Sequence, residues 1–446
     1  MRSPPHAFQA VKQELSDLHL WTGRGVVIAF AALAGLAVVA FTWLTEHAIA
    51  TFFSTQSRFW WGPLLWTPLC TAAIVWTTRK YFPGAGGSGI PQVMAALEPH
   101  VSGKDRGIYV SLKLSIAKVF LTAWGLLAGL SLGREGPSVQ IAAGVMHHAR
   151  RWLPKKSHIP EHSLLIAGGA AGIAAAFNTP LGGVMFAIEE LSKKSGERST
   201  SLILVAIVIG GLMGVSAYGN SNYFGVIRVE KVGWALLMPA LCVAIASGVA
   251  GGLFSKLLIA SLSGASPDRF SRFRQSSPIW FAAGCGLGVA VLGVVSQGQT
   301  FGSGYAHTRA MLESNSDTSF IYVLFKFIAT WLTTWAGVPA GVFAPSLAIG
   351  GALGNDIAVL TAYANAPTLI ALGMAGFLAA VTQAPMTAFI IVMEMVDGHG
   401  LVLSLMASAM VASGVSRLIS APLYPSLAQI QLKRLVRATS VAPVLK

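Results

Sequence analysis

The sequence predicts an all-helical protein that crosses a bilayer many times. Three observations carry this reading. First, of 446 residues, 54% are hydrophobic and 11% charged, whereas a soluble protein usually carries about 25% charged residues. Mean hydropathy is accordingly +0.64. Second, apolar runs exceed the ~18 residues a spanning helix needs and lack the alternation of an outer-membrane barrel. Third, basic residues gather in short clusters between those runs, as cytoplasmic loops of polytopic proteins do. The net charge of +14 is thereby accounted for, and no nucleic-acid partner is expected.

The chain opens on MRSPPHAFQAVKQELSDLHLWTGR, which lacks the apolar core of a signal peptide. Residues 1–24 read as a cytoplasmic helix with an apolar stripe of Phe8, Val11, Leu15 and Leu18. Spans follow near 25–44 and 60–78, and Arg79 and Lys80 hold the end of the second on the cytoplasmic side. Further apolar segments lie near 108–131, 137–148, 163–191, 201–218, 233–262, 278–296, 320–336, 346–362, 369–396 and 401–420. Too little chain follows 420 for a soluble module, and 436–446 read as a short tail. Cys70, Cys242 and Cys285 sit in apolar stretches without CxxC spacing. They read as packed thiols, with no disulfide and no metal site.

The basic clusters constrain the path of the chain. Lys104/Arg106, Arg150/Arg151/Lys155/Lys156 and Lys193/Lys194/Arg198 all ask to be cytoplasmic. Between the first two lies one apolar stretch, broken at SLGREGP (131–137). Between the second and third lies another, broken at FNTP (177–180). Each must enter and leave on the same side, so the helices stop inside the membrane and the chain reverses at Gly and Pro. Irregular backbone is tolerated there only where it lines a cavity or is buried in protein.

An internal repeat agrees. GSG at 87–89 recurs at 302–304, GREGP at 133–137 matches GVFAP at 341–345, and AFNTPLGGVMFAIEE (176–190) matches VTQAPMTAFIIVMEM (381–395). The order holds and the offset drifts from 215 to 208 to 205. Two homologous membrane halves, 25–225 and 226–435, are the simplest account. Interrupted segments at matching positions of two halves point to a transport site. Repeat matching alone leaves parallel and inverted halves open.

Within these motifs a few residues carry chemistry. In GSGIP, Gly87 and Gly89 permit tight backbone, and Ile90 and Pro91 open a helix. Ser88 then stands near a helix N-terminus, either as a cap or facing an anion. In GREGP, Gly133, Arg134, Gly136 and Pro137 surround Glu135, a carboxylate in an apolar region and so a functional candidate. At a helix N-terminus Glu135 can occupy the place of an anion and vacate it on protonation. The alternative is a capping Arg134–Glu135 pair. In GVFAP, Gly341 precedes Val342 and Phe343, whose N–H groups either bind an anion or merely start a helix. Glu189 and Glu190 end an apolar stretch just before Lys193 and Lys194. One of them faces inward as a proton acceptor, or both are solvated. Glu394, the counterpart of Glu189, reads as structural. Tyr424 is either an interfacial belt residue or a hydroxyl donor to an anion. Lys118 is a cation within the third apolar segment, expected to pair with a carboxylate or, as the alternative, to raise the local positive potential. A hydrolase built on Ser88 lacks a GxS–histidine arrangement, His100 lying beside a polar loop, so no enzyme and no cofactor is expected.

GSGIP, GREGP and GVFAP in this order, with FNTPLGGVMFAIEE and the late PLY, resemble the signature set of the CLC chloride channel and transporter family over about residues 25–430. The resemblance implies a CLC-like homodimer of two inverted-topology halves, built of tilted and broken helices, with one anion pathway per subunit. It implies that Ser88 and Tyr424 coordinate the anion with hydroxyls and that Val342 and Phe343 do so with backbone N–H. Glu135 would be the gating, proton-exchanging glutamate and Glu190 the internal proton glutamate; Lys118 matches a buried family lysine. Serine at 88 and an intact GREGP favour chloride over nitrate or fluoride. The expected activity is chloride/proton antiport in the cytoplasmic membrane of a prokaryote, without CBS modules. A voltage- or pH-gated passive chloride channel of the same fold is the alternative.

Overall fold

The computed structural model describes residues 18–101, 103–154, 159–192, 200–219, 223–225, 233–264, 268–313 and 320–441. Residues 1–17 of the expected N-terminal helix, with Phe8, Val11 and Leu15, lie outside these. So do Lys155, Lys156, Lys193, Lys194, Arg198, the 226 boundary between halves and tail residues 442–446. Residues 18–24 continue without a break into the first span.

The described chain is helical from end to end. The first half comprises α1 (Leu18–Arg58), α2 (Gly62–Tyr81), α3 (Ile90–Ala96), α4 (Gly103–Tyr109), α5 (Leu112–Leu127), α6 (Glu135–Ala149), α7 (Glu161–Phe177), α8 (Pro180–Phe186) with a π-helical turn Ala187–Leu191, and α9 (Thr200–Tyr218). The second comprises α10 (Leu237–Ser263), α11 (Arg269–Ser276), α12 (Pro278–Val295), α13 (Tyr305–Leu312), α14 (Ile321–Ala336), α15 (Phe343–Leu360), α16 (Ala366–Thr382), α17 (Pro385–Met395), α18 (Val402–Ile419) and α19 (Leu423–Val441). Among the described residues, seven helices are long and apolar enough to cross a membrane, α1 and α15 among them. Leu33, Trp43, Leu212, Leu253 and Leu418 point outward from these helices, a surface that suits lipid and not water.

The apolar stretches 163–191 and 369–396 each fold as two helices. α7 ends at Asn178 in the left-handed region (φ 58°) and α8 starts at Pro180. α16 ends the same way at Gln383 (φ 57°) and α17 starts at Pro385. Proline suits that first turn because it lacks only an N–H the helix leaves unused.

Equivalent helices of the two halves run antiparallel. The Glu189 carboxylate, at the C-terminal end of the α8 segment, accepts from the Met386 and Thr387 N–H groups at the start of α17 (3.2 and 2.6 Å). The Glu394 carboxylate, late in α17, accepts from Leu181 and Gly182 at the start of α8 (3.2 and 2.8 Å). Each half thus caps the other, and the halves are inverted. Within each half, small residues let backbones close up. Gly168 and Gly172 of α7 lie on Ala142 and Ser138 of α6; Gly350 and Gly354 of α15 lie on Gly373 and Leu369 of α16. α6, α7, α15 and α16 form the interior and present the ends that build the site.

Candidate functional site

Three irregular stretches meet where helices stop inside the protein. Gly87 N–H donates to Val338 O (3.1 Å) and Gly87 O accepts from Ala340 N–H (3.2 Å). Gly133 and Gly341 exchange both backbone hydrogen bonds, at 2.7 and 3.1 Å. GSGIP and GREGP of the first half are therefore stitched to the GVFAP loop of the second.

The loop before Ser88 turns its acceptors aside. Gln140 donates to Gly84 O (2.9 Å), Lys118 Nζ to Ala85 O (2.8 Å) and Gly87 O (2.5 Å), and the Gln92 amide to Gly86 O. Every carbonyl from Gly84 to Gly87 is thus engaged by a side-chain donor, which leaves the face at Ser88 to donors. Lys118 holds carbonyls rather than the carboxylate expected of it. Lys326 does the same in the second half, binding Thr300 O (2.9 Å) and Gly302 O (2.7 Å). That lysine was missed in the sequence, although its offset of 208 from Lys118 equals that of GREGP from GVFAP.

Around this loop three buried polar groups lack partners. Ser88 is 5% exposed and Tyr424 1%, so Tyr424 is no belt residue. Their hydroxyls are neighbours, yet neither makes a hydrogen bond of good geometry within the protein. Glu135, the first residue of α6, is fully buried. Its Oε2 accepts from Ala344 N–H in the first turn of α15 (3.4 Å), and its Oε1 has no partner. An unpaired buried polar atom costs about 1–3 kcal/mol. Three at one spot fit a place that takes a small polar or anionic guest. The N–H that meets Glu135 belongs to Ala344, one residue beyond the expected Val342 and Phe343. Those two are buried at the start of α15, where helices leave N–H groups free. Gly136 lies against Ser88, and Gly341 against Gly133 and Pro137, closely enough that a Cβ at either would collide.

Two cavities adjoin the site. A vestibule of about 670 Å³ has Gly87, Ser88, Pro91 and Val342 in its wall, with Arg79 and Arg274 as its charged lining. A narrow pocket on another side joins Glu190 to Phe343 and Tyr424 past Thr382 and Thr387. Glu190 sits in the π-helical turn and is 2% exposed, while Glu189 beside it faces α17. Of the alternatives for this pair, the structure has one carboxylate inward and the other spent as a cap. Arg134 pairs with Glu46 of α1 (2.8 Å) and not with Glu135. Cys70 and Cys285 are buried free thiols, whereas Cys242 is exposed and so not packed as expected.

Comparison with known proteins agrees with this geometry. A slow cyanobacterial Cl−/H+ antiporter has a similar fold at a TM-score of 0.79, with 23% identity over 92% of this chain and 98% of that one. A CLC-type fluoride/proton antiporter aligns at 0.75, with 21% identity over 92% and 99% of the two chains. A eukaryotic CLC transporter aligns at 0.72, with 20% identity over 91% of this chain and 74% of that one. A sequence model described as "Voltage gated chloride channel" matches residues 70–417. The chain is therefore an integral, multi-pass membrane protein that belongs to the voltage gated chloride channel family.

Proposed function

We propose that this protein exchanges chloride for protons across the cytoplasmic membrane of a prokaryote, through the site at Ser88, Glu135 and Tyr424. The observation that carries the reading is the Glu135 carboxylate on the Ala344 N–H. A negative group at the buried start of α15 stands where a small anion would be favoured. Chloride reaches Ser88 and Tyr424 through the vestibule, on the side that the Arg79–Lys80 pair makes cytoplasmic. The hydroxyls and the N–H groups of Val342, Phe343 and Ala344 replace its hydration. Chloride and the Glu135 carboxylate compete, and a protonated Glu135 yields its place. Glu190 supplies that proton along the narrow pocket by Tyr424. The pocket is too tight for water as it stands, so side-chain movement at Phe343 or Tyr424 accompanies transfer.

We further propose two repeats, 25–225 and 226–435, and a homodimer. The Glu189 and Glu394 caps lie on a face with Leu181 (55% exposed), Ile188 (57%) and Met386 (37%). Carboxylates facing lipid are costly, and a second copy over this face removes them from it.

The test is proton movement into or out of liposomes under a chloride gradient alone. Uphill proton flux that tracks chloride and collapses with a protonophore supports exchange. Chloride flux without protons contradicts it and favours the passive channel.

A further inference from the structure

The guanidinium of Arg134, the residue before Glu135, is held away from the anion site by groups from two other parts of the chain. Its Nη1 donates to Glu46 Oε1 of α1 at 2.8 Å, and its Nη2 to the Tyr223 hydroxyl at 3.2 Å. Its centre also lies 5.8 Å from the middle of the Tyr223 ring. Tyr223 is itself fixed. Its ring stands edge-on to Phe177 (5.8 Å) and Tyr305 (4.7 Å), and its carbonyl accepts from Tyr305 OH at 2.7 Å. The next residue, Phe224, donates its N–H to Met395 O at 2.9 Å. The Arg134 side chain is 13% exposed and that of Glu46 51%, so the pair stands at the edge of the protein. Glu46 lies 28 residues beyond Leu18, about 42 Å along α1 at 1.5 Å per residue. The pair therefore sits well beyond the middle of α1.

This arrangement decides which carboxylate Arg134 serves. Among the described residues, the acids around it are Glu46 and Glu135, and Tyr218 and Tyr223 are its other titratable neighbours. Glu135 in turn faces Arg134, Tyr223, Tyr424 and, through Tyr424, Glu190. With Glu46 ionised and bonded, the Arg134 charge is neutralised locally. Arg134 then makes no ion pair with Glu135 and acts on it only at a distance, beside the backbone N–H groups of Arg134, Glu135 and Ala344. Without Glu46, the nearest carboxylate left to the arginine among the described residues is Glu135.

We infer that Glu46 is a positioning residue for exchange: by engaging Arg134 it keeps that cation off Glu135 and sets the pH at which Glu135 takes up its proton. The inference rests on the antiport reading. A cation newly paired with a carboxylate lowers its proton affinity by one to three pH units. Loss of Glu46 therefore shifts exchange toward acid, and the tyrosine clamp makes a second, smaller contribution.

The experiment measures proton-coupled chloride exchange in proteoliposomes across pH for the full chain and for Glu46→Gln, Glu46→Asp and Tyr223→Phe. Glu46→Gln is expected to move the half-maximal pH down by about 1 unit or more, with the proton-to-chloride ratio unchanged. Glu46→Asp is expected to return it most of the way. Tyr223→Phe keeps every ring contact, loses one hold on Arg134, and moves the midpoint the same way by a smaller step. A uniform fall in rate with unmoved midpoints, in Glu46→Gln or, should that variant not fold, in Tyr223→Phe, overturns the inference and leaves Glu46 a structural partner. If the unaltered protein moves chloride without protons, the antiport reading fails instead, and Glu46 is not the cause.

Discussion

Gly133 and Gly341, one from each half, exchange both of their backbone hydrogen bonds at 2.7 and 3.1 Å. This contact brings the starts of α6 and α15 together, and with them Glu135 and Ala344. A Cβ at Gly341 would lie 2.6 Å from Gly133 O and 3.0 Å from Pro137 Cδ. Gly341→Ala must therefore part the two loops. Overpacking of this kind costs about 1–3 kcal/mol. The expected outcome is a lower unfolding temperature in detergent together with a loss of chloride flux in liposomes.

Lys118 and Lys326 make the same pair of bonds to equivalent loops, but only the Lys118 loop carries a hydroxyl of the site. Replacing either by Met strips donors from buried carbonyls, at about 1–3 kcal/mol for each one left unpaired. Both variants are expected to lose thermal stability to a similar degree. Calorimetric titration with chloride is expected to separate them: Lys118→Met weakens binding, and Lys326→Met leaves it nearly intact.

The crossed caps predict a matched pair. Glu189 and Glu394 each accept two backbone N–H groups from the other half. A lost N-terminal cap costs about 0.5–2 kcal/mol. Glu189→Ala and Glu394→Ala should lower the unfolding temperature by similar amounts, read by thermal melts of the purified protein.

Tyr424→Phe keeps the ring and removes the hydroxyl beside Ser88. A hydrogen bond to a charged group contributes about 1.5–3 kcal/mol net, which is about 12- to 160-fold in affinity. Chloride affinity by titration is expected to fall within that range without loss of fold. Unchanged affinity would remove Tyr424 from the site.

Much of the site was legible because it depends on backbone chemistry that leaves a mark in sequence. The glycines of GSGIP, GREGP and GVFAP stand where chains touch, as Gly136 does on Ser88 and Gly341 on Gly133. Glu135 stood out because a carboxylate in an apolar run demands a reason. The breaks at 177–180 followed from charge clusters that must share one side. Other features left less trace. Lys326 was visible only through the repeat offset. Glu46 sits in the long first span with no motif around it, and its partner Arg134 is 88 residues away. The donor to Glu135 falls on Ala344, since which N–H of a first turn meets a side chain depends on how two helices are set together. Repeat matching alone left inverted and parallel halves open; the resemblance implied inverted ones, and the crossed caps of Glu189 and Glu394 display them.

The central claim is that the Glu135 carboxylate competes with chloride and carries the exchanged proton. Glu135→Gln keeps the shape, removes the charge and cannot titrate. The direct measurement is simultaneous chloride and proton flux in liposomes holding this variant beside the unaltered protein. The account predicts that chloride flux persists while proton movement falls to background. Proton flux that still tracks chloride in Glu135→Gln would contradict it and put the exchanged proton elsewhere.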